Sequence, residues 1–184
     1  MIRFLDFILA FIGLTLTAPI LVIITVIGYF DTKSPIFMQS RVGKNKKPFT
    51  LIKFRTMTVE TESVASHLAN SASITRIGGF LRKSKIDELP QLINVLKGEM
   101  SFVGPRPNLF NQHELINERD ARGVYNVLPG ITGLAQVNNI DMSTPELLAK
   151  TDRKMIDTLT IKDYFKYIIM TATGSGTGDA VNTK

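Results

Sequence analysis

Arg76-Ile-Gly-Gly-Phe-Leu-Arg-Lys-Ser-Lys-Ile-Asp-Glu-Leu-Pro-Gln-Leu-Ile-Asn-Val-Leu-Lys-Gly-Glu-Met-Ser-Phe-Val-Gly-Pro-Arg-Pro107 sets the organisation of this chain. Two neighbouring acids, Asp87 and Glu88, sit between a basic cluster (Arg82, Lys83, Lys85) and a rigid corner around Arg106. Acids set among cations point to a site that handles phosphate. A carboxylate can attack phosphorus or hold a divalent metal while the cations neutralise charge.

The same residues also have a plainer reading. A helix starting at Asp87 would use it as N-cap, with Pro90 in the first turn, where a missing N–H costs little. Leu89, Leu92, Ile93 and Leu96 then form the buried stripe, and Gly98 ends the helix. In that reading Glu88 is a first-turn acid favoured by the helix dipole. Spacing alone favours the cap; the nearby turn around Arg106 favours chemistry. Held between Pro105 and Pro107, Arg106 has little backbone freedom and suits bidentate binding of phosphate. Upstream, Ile77, Phe80 and Leu81 share one helical face, interrupted by Gly78 and Gly79.

Downstream, residues 112–122 read as a polar helix with His113 on its surface. Val127-Leu-Pro-Gly-Ile-Thr-Gly133 reads as a loop whose backbone N–H groups could cradle an anion. Leu134-Ala-Gln-Val137 reads as a short strand. Thr144 caps a further helix with Pro145 in its first turn. From about Thr160 another helix mixes Tyr164, Phe165, Tyr167, Ile168 and Ile169 with Lys162 and Lys166, which suits either a membrane interface or the core. The Gly/Ser-rich tail at 173–184 reads as flexible.

The whole chain has 184 residues, enough for one domain with a real core. A net charge of +6 and a pI near 9.6 imply anionic partners. The absence of cysteine rules out disulfides, thiolate metal sites and a cysteine nucleophile.

Residues 7–30 carry no charge, which passes the rough threshold of about 18 residues for a membrane segment. Pro19 near its middle removes a backbone hydrogen bond and bends a helix. Helix physics leaves two outcomes balanced: a kinked single-pass anchor, or a helix–break–helix that returns to the same side. Two arms of about 12 residues reach about 18 Å each, short of the roughly 30 Å hydrocarbon core. Cations are sparse before the segment (Arg3) and dense after it (Lys33, Arg41, Lys44, Lys46, Lys47), so residues 31–184 face the cytoplasm either way. Residues 36–57 read as a β-hairpin closed by a basic loop that turns at Asn45. Its cations serve anionic lipid or substrate equally well. Residues 60–70 read as a weak polar helix with His67 exposed.

Six ordered blocks resemble the bacterial sugar transferase family. They are Gln39-Ser-Arg-Val-Gly43, Pro48-Phe…Lys53-Phe-Arg-Thr-Met57, Thr75-Arg-Ile-Gly78, Ile86-Asp-Glu-Leu-Pro-Gln-Leu92, Asn94-Val-Leu-Lys-Gly-Glu-Met-Ser-Phe-Val-Gly-Pro-Arg-Pro107 and Leu128-Pro-Gly-Ile-Thr-Gly-Leu-Ala-Gln136. The chain is most similar to the small monotopic phosphoglycosyl transferases of the polyprenyl-phosphate N-acetylhexosamine-1-phosphate transferase type. That resemblance implies an α+β fold in three parts: a re-entrant membrane helix (1–31) broken at Ala18-Pro19, a cytoplasmic catalytic domain (32–172) and the tail (173–184).

It further implies that Asp87 is the nucleophile and a ligand of Mg²⁺, and that Glu88 assists as base or orients the site. Arg106, Lys53, Arg55, Arg82 and Gln136 are the substrate-binding residues it implies. A UDP-sugar, N-acetylated in many chains of this type, would transfer sugar-1-phosphate to polyprenyl phosphate and release UMP. The expected location is the cytoplasmic face of a bacterial inner membrane, with anionic headgroups as further partners. Nucleic acid is not expected, and homodimerisation is left open. The chain departs from the family pattern at Ala18, where Ser commonly precedes the proline, at Phe102 and at Asn108, where an acid is frequent. Two rival readings remain: a non-catalytic basic anchor protein, and a glycosyltransferase that releases UDP.

Overall fold

The computed structural model describes residues 1–61 and 73–176. Helix α1 (Ile2–Thr32) leads into an antiparallel hairpin of β1 (Ile36–Val42) and β2 (Pro48–Phe54). Helices α2 (Arg76–Ser84) and α3 (Gln91–Lys97) follow, then β3 (Ser101–Val103), α4 (His113–Ala121), β4 (Gly130–Thr132) and the single turn α5 (Leu134–Val137). Helices α6 (Pro145–Thr158) and α7 (Ile161–Ala172) close the domain. The class is α+β, with one long apolar helix and a largely helical domain carrying two small sheets.

The hairpin follows the alternating pattern of its sequence, in a register from Ile36 opposite Phe54 to Val42 opposite Pro48. Its basic loop is a tight turn in which Asn45 (φ 54°) and Lys46 (φ 59°) are left-handed. Asn94, fully buried on α3, fixes the hairpin to the domain. Its amide donates to Thr50 O (2.7 Å), and its Oδ1 accepts from Ile52 N (3.2 Å). At the far end, Thr160 and Asp163 form the reciprocal cap that starts α7. Thr144 precedes α6 as expected but makes no capping hydrogen bond through its side chain.

Three expectations are corrected. Helix α1 is one continuous helix with Pro19 inside it, not two arms separated at Ala18-Pro19. Proline removes one N–H from the ladder, and the hydroxyls of Thr15 and Thr17 bond back to the carbonyls of Phe11 (2.9 Å) and Gly13 (2.7 Å) just before it. Second, Leu134–Val137 is helical, and the strand lies earlier, at Gly130–Thr132, paired in parallel with β3. The pairing draws β4 toward Gly104: a Cβ on Gly130 would lie 2.0 Å from Gly104 N. Only glycine admits that approach. Third, Asp87 is not the cap of α3, as described below. The polar helix read at 60–70, with His67, falls outside the described residues beyond Thr61.

Helix α1 docks along the domain through one stripe. Ile2, Leu5 and Leu9 pack with Tyr164 and Tyr167 of α7. Ala10 and Leu14 join Leu51, Leu92, Val95 and Met100, and Leu21 and Ile24 join Phe54 and Leu81. The buried carboxylate of Asp6 anchors the stripe. Its Oδ1 accepts from Ser101 Oγ (2.9 Å), Phe102 N (3.0 Å) and Tyr164 Oη (2.8 Å). Burial, then the bond to Asp6, pushes the Tyr164 hydroxyl far above the usual tyrosine range. The opposite side of α1 leaves Phe4, Phe7, Phe11, Leu16, Ile23 and Phe30 exposed. An apolar surface of that extent marks a membrane or partner contact. On α7, Tyr164 and Tyr167 are buried in the core, as one of the two readings has it, while Phe165 and Ile169 are exposed.

Candidate active site

The acid pair lies at a forced bend. Helix α2 is capped by Thr75, whose Oγ1 accepts from Gly78 N (2.9 Å). Gly78 lets α2 approach Thr56, because a Cβ there would sit 2.0 Å from Thr56 O. The helix ends at Lys85 in the left-handed conformation (φ 57°). A tight 3₁₀ turn, Ile86–Glu88, follows, and α3 begins only at Gln91. Pro90 explains the correction. Having no N–H, it cannot bond the Ile86 carbonyl as a helix would require, and Leu89 N takes that carbonyl instead (3.1 Å). The turn therefore tightens, and Asp87 and Glu88 are both buried within it.

The Pro-Arg-Pro turn is brought to this pair from 18 residues away. Arg106 Nη2 donates to Glu88 Oε1 at 2.8 Å. The turn is braced on several sides. Gly104 N donates to Thr132 O and Gly130 N to Pro105 O, both at 2.9 Å. Arg41 Nη1 donates to Pro107 O (3.1 Å), and Gln136 Nε2 to Gly104 O (3.2 Å). Arg119, on α4, reaches in from below. Its Nη1 donates to Arg106 O (2.8 Å) and to Asn108 Oδ1 (3.0 Å), while Nε and Nη2 grip Asp152 of α6 at 3.0 and 2.7 Å. Arg119 and Asp152 are both fully buried. Asn108 is buried as well, accepting also from Tyr125 Oη (3.0 Å), so it belongs to this brace.

The remaining sequence-predicted residues occupy distinct places. Arg82 donates through Nε to Thr56 Oγ1 (2.7 Å) and lines a cleft shared with Glu88. Lys53 is buried on β2, the strand that packs against the acid turn. Arg55, just past β2, donates to Ser34 O (2.8 Å), and Lys53 and Arg55 both lie against the Phe37 ring, at 5.6 and 5.4 Å. Gln136 supports the turn from beneath. Arg119 and Asp152 do not stand out in the sequence as site residues, and Arg41 does so only as a cation after the apolar segment and within the first family block. Arg119 carried a signal, since it falls four residues after buried Leu115 on the same helical face.

The cleft has a volume of about 610 Å³. One side carries Arg82, Lys85 and Glu88, and the other is formed by the end of α7 and residues 173–176. Burial holds the Lys85 ammonium below the usual lysine range, opposed by the attraction of Glu88. Among the described residues no group of three or more acidic or histidine side chains gathers as a metal cage. Two adjacent buried carboxylates nevertheless fit Mg²⁺, which commonly takes one or two protein carboxylates and completes its shell from water and substrate phosphates.

Comparison with known proteins gives a consistent result. A family model described as "Bacterial sugar transferase" matches residues 1–176. The "Uncharacterized sugar transferase EpsL" of Bacillus subtilis is 45% identical over 137 residues, 74% of this chain and 67% of that protein. The "Galactosyl transferase CpsE" of Streptococcus agalactiae is 36% identical over 183 residues, 92% of this chain but 40% of that protein. A "UDP-glucose:undecaprenyl-phosphate glucose-1-phosphate transferase" of Klebsiella pneumoniae is 40% identical over 166 residues, 86% of this chain and 35% of that protein. The chain thus spans from about a third to two thirds of the length of these relatives.

Proposed function

We propose that this chain, which belongs to the bacterial sugar transferase family, is a phosphoglycosyl transferase that moves sugar-1-phosphate from a UDP-sugar to polyprenyl phosphate. The observation that carries the reading is the 2.8 Å ion pair joining the acid turn to the Pro-Arg-Pro turn. It sets an arginine, braced through its own carbonyl by Arg119, against Glu88, one of two consecutive buried acids. Preorganised charge of this kind stabilises a phosphoryl group in transfer.

In the reaction an Asp87 carboxylate oxygen attacks the β-phosphorus, the one bearing the sugar. The bond from that phosphorus to the bridging oxygen breaks, and its electron pair leaves with UMP. An oxygen of polyprenyl phosphate then attacks the same phosphorus, and the aspartyl oxygen leaves as carboxylate. Splitting one displacement into two is the benefit of a covalent intermediate. Glu88 takes a proton from the acceptor phosphate or orients it, and Arg106 holds phosphate oxygens, with Arg82, Lys53 and Arg55 adding positive charge. When bound, Mg²⁺ neutralises charge on the diphosphate with Asp87 as its protein ligand.

The docking of α1 supports a membrane-surface rather than a spanning topology. Its contacts with the domain run from Ile2 to Ile24, about 33 Å along the axis at 1.5 Å per residue. That equals roughly the whole hydrocarbon thickness of about 30 Å. Were α1 to cross the bilayer upright, the charged domain packed along it would cross too. A helix that enters one leaflet by its exposed face, with the domain on the cytoplasmic side, avoids that cost.

The test is UMP release from a panel of UDP-sugars, N-acetylated donors included, with polyprenyl phosphate and Mg²⁺, comparing wild type with Asp87→Asn. UMP from wild type alone is expected. UDP as the product would replace this reading with an ordinary glycosyltransferase.

A further inference from the structure

The cleft beside Glu88 is mostly apolar, walled by Leu89, Leu92, Phe102, Ile131 and Ile168, yet its rim carries Arg82, Lys83 and Lys85. The helices that contribute to it also carry large exposed apolar side chains, Phe80 on α2 and Ile169 on α7. An apolar slot that also carries three cations matches a phosphate carried on a long hydrocarbon chain. A UDP-sugar offers hydroxyls and a uracil, and has no chain to occupy five apolar side chains.

One wall of this slot is built in an unusual way. After α7 the chain curls back, with Gly174 N donating to Thr171 O (3.2 Å) and Ser175 N to Met170 O (2.8 Å). Lys85 Nζ reaches across from the acid turn and donates to Ser175 O (2.5 Å) and Thr171 O (3.3 Å). On the other side Gly176 (φ 81°) lies so close to α5 that a Cβ would stand 2.5 Å from Gln136 O. Thr171 Oγ1 is also 2.5 Å from Thr132 Oγ1 of β4. Residues 171–176 are therefore held from three sides, and the longest tie, 90 residues in sequence, comes from the residue two before Asp87.

Building on the transferase reading above, we propose that Lys85 is a positioning residue for the acceptor. By tying residues 171–176 to the acid turn it forms the wall against which the isoprenoid end of the lipid phosphate lies. The ammonium gives two of its three N–H donors to the wall, so its part is to hold the wall in register with Asp87 and Glu88. The donor side of the site, at Arg106, keeps further braces through Arg41 and Arg119 that do not touch residues 171–176, beside those through Thr132 and Gln136.

The experiment is steady-state kinetics of the full-length chain in detergent, with KM measured separately for polyprenyl phosphate and for the UDP-sugar that wild type uses. Lys85→Met is expected to raise KM for the lipid about tenfold, as loss of a charge-assisted hydrogen bond would, with KM for the donor within about twofold of wild type. Lys85→Arg should recover most of the difference. Gly176→Val displaces the same segment from its other side, and it should raise KM for the lipid similarly. The two changes combined should add far less than independent sites do. Amide exchange at residues 171–176 should quicken in both variants while that of β1 and β2 is unchanged. Equal rises in both KM values, no rise for the lipid, or full additivity with Gly176→Val would overturn the assignment of Lys85. A wild-type protein that releases no UMP from any donor would instead remove the transferase reading, and this inference with it.

Discussion

Asp6 tests whether α1 is docked on the domain as described. Its carboxylate is 1% exposed, and one oxygen collects three donors from two separate elements: Ser101 and the Phe102 amide on β3, and Tyr164 on α7. Replacement by alanine removes the acceptor from all three. The two hydroxyls can rotate toward other acceptors, whereas the Phe102 amide is fixed. A buried donor left unsatisfied costs about 1–3 kcal/mol, and bonds to a charged group are the stronger ones. Asp6→Ala should therefore cost about 3–5 kcal/mol, a large part of a typical domain's stability. Asp6→Asn keeps an acceptor oxygen in place and should cost about half as much. Thermal unfolding in one fixed detergent, with amide exchange at Phe102, reads both. An acid at the start of an undocked helix would contribute only the dipole term of about 0.3–1 kcal/mol. Asp6→Ala within about 1 kcal/mol of wild type would thus refute the docking, and with it the case for a membrane-surface helix.

Other outcomes can be measured alongside. Arg106→Ala should reduce UDP-sugar turnover by at least about a hundredfold while leaving membrane association intact; equal loss of both in flotation and UMP assays would make Arg106 structural. Arg119→Met leaves the Asp152 carboxylate buried without its cation and should destabilise by about 3–5 kcal/mol, with a further fall in turnover at temperatures where the protein stays folded. Arg119→Met/Asp152→Leu should regain much of the stability but little of the activity, because Arg106 O remains unsupported. Accessibility tags at residue 1 and at the C-terminus should both report the cytoplasmic side, and opposite sides would mean that α1 spans.

What could be read from the sequence follows the range of the interactions involved. The hairpin is legible because its alternation is local and its turn needs only Asn45 and Lys46 to go left-handed. Helices α6 and α7 are legible from Pro145 and Thr160 for the same reason. The strand at Gly130–Thr132 was missed because its partner lies about thirty residues away and its signal is a glycine contact, whereas the apolar run at Leu134–Val137 has no periodicity to separate strand from helix. Asp6 was passed over because the uncharged run begins one residue later. An acid in so apolar a helix points to buried partners in its own right.

The candidate site divides along the same line. Asp87, Glu88 and Arg106 stand out as residue types, but what places them is tertiary. Pro90 tightens the acid turn, Gly104 and Gly130 bring two backbones together, and Arg119 links α4 and α6 to the Arg106 carbonyl. Asn108 shows the consequence. By motif position it could be a selector of substrate, yet its Oδ1 is shared between Arg119 and Tyr125 in a fully buried position. An acid there would meet the same Arg119 donor, with Asp152 already paired to that guanidinium. Exchange at position 108 therefore changes how the arginine brace is charged before it changes anything a sugar could touch. Selection among sugars must therefore be sought away from this buried brace, on the donor side of the site around Arg106.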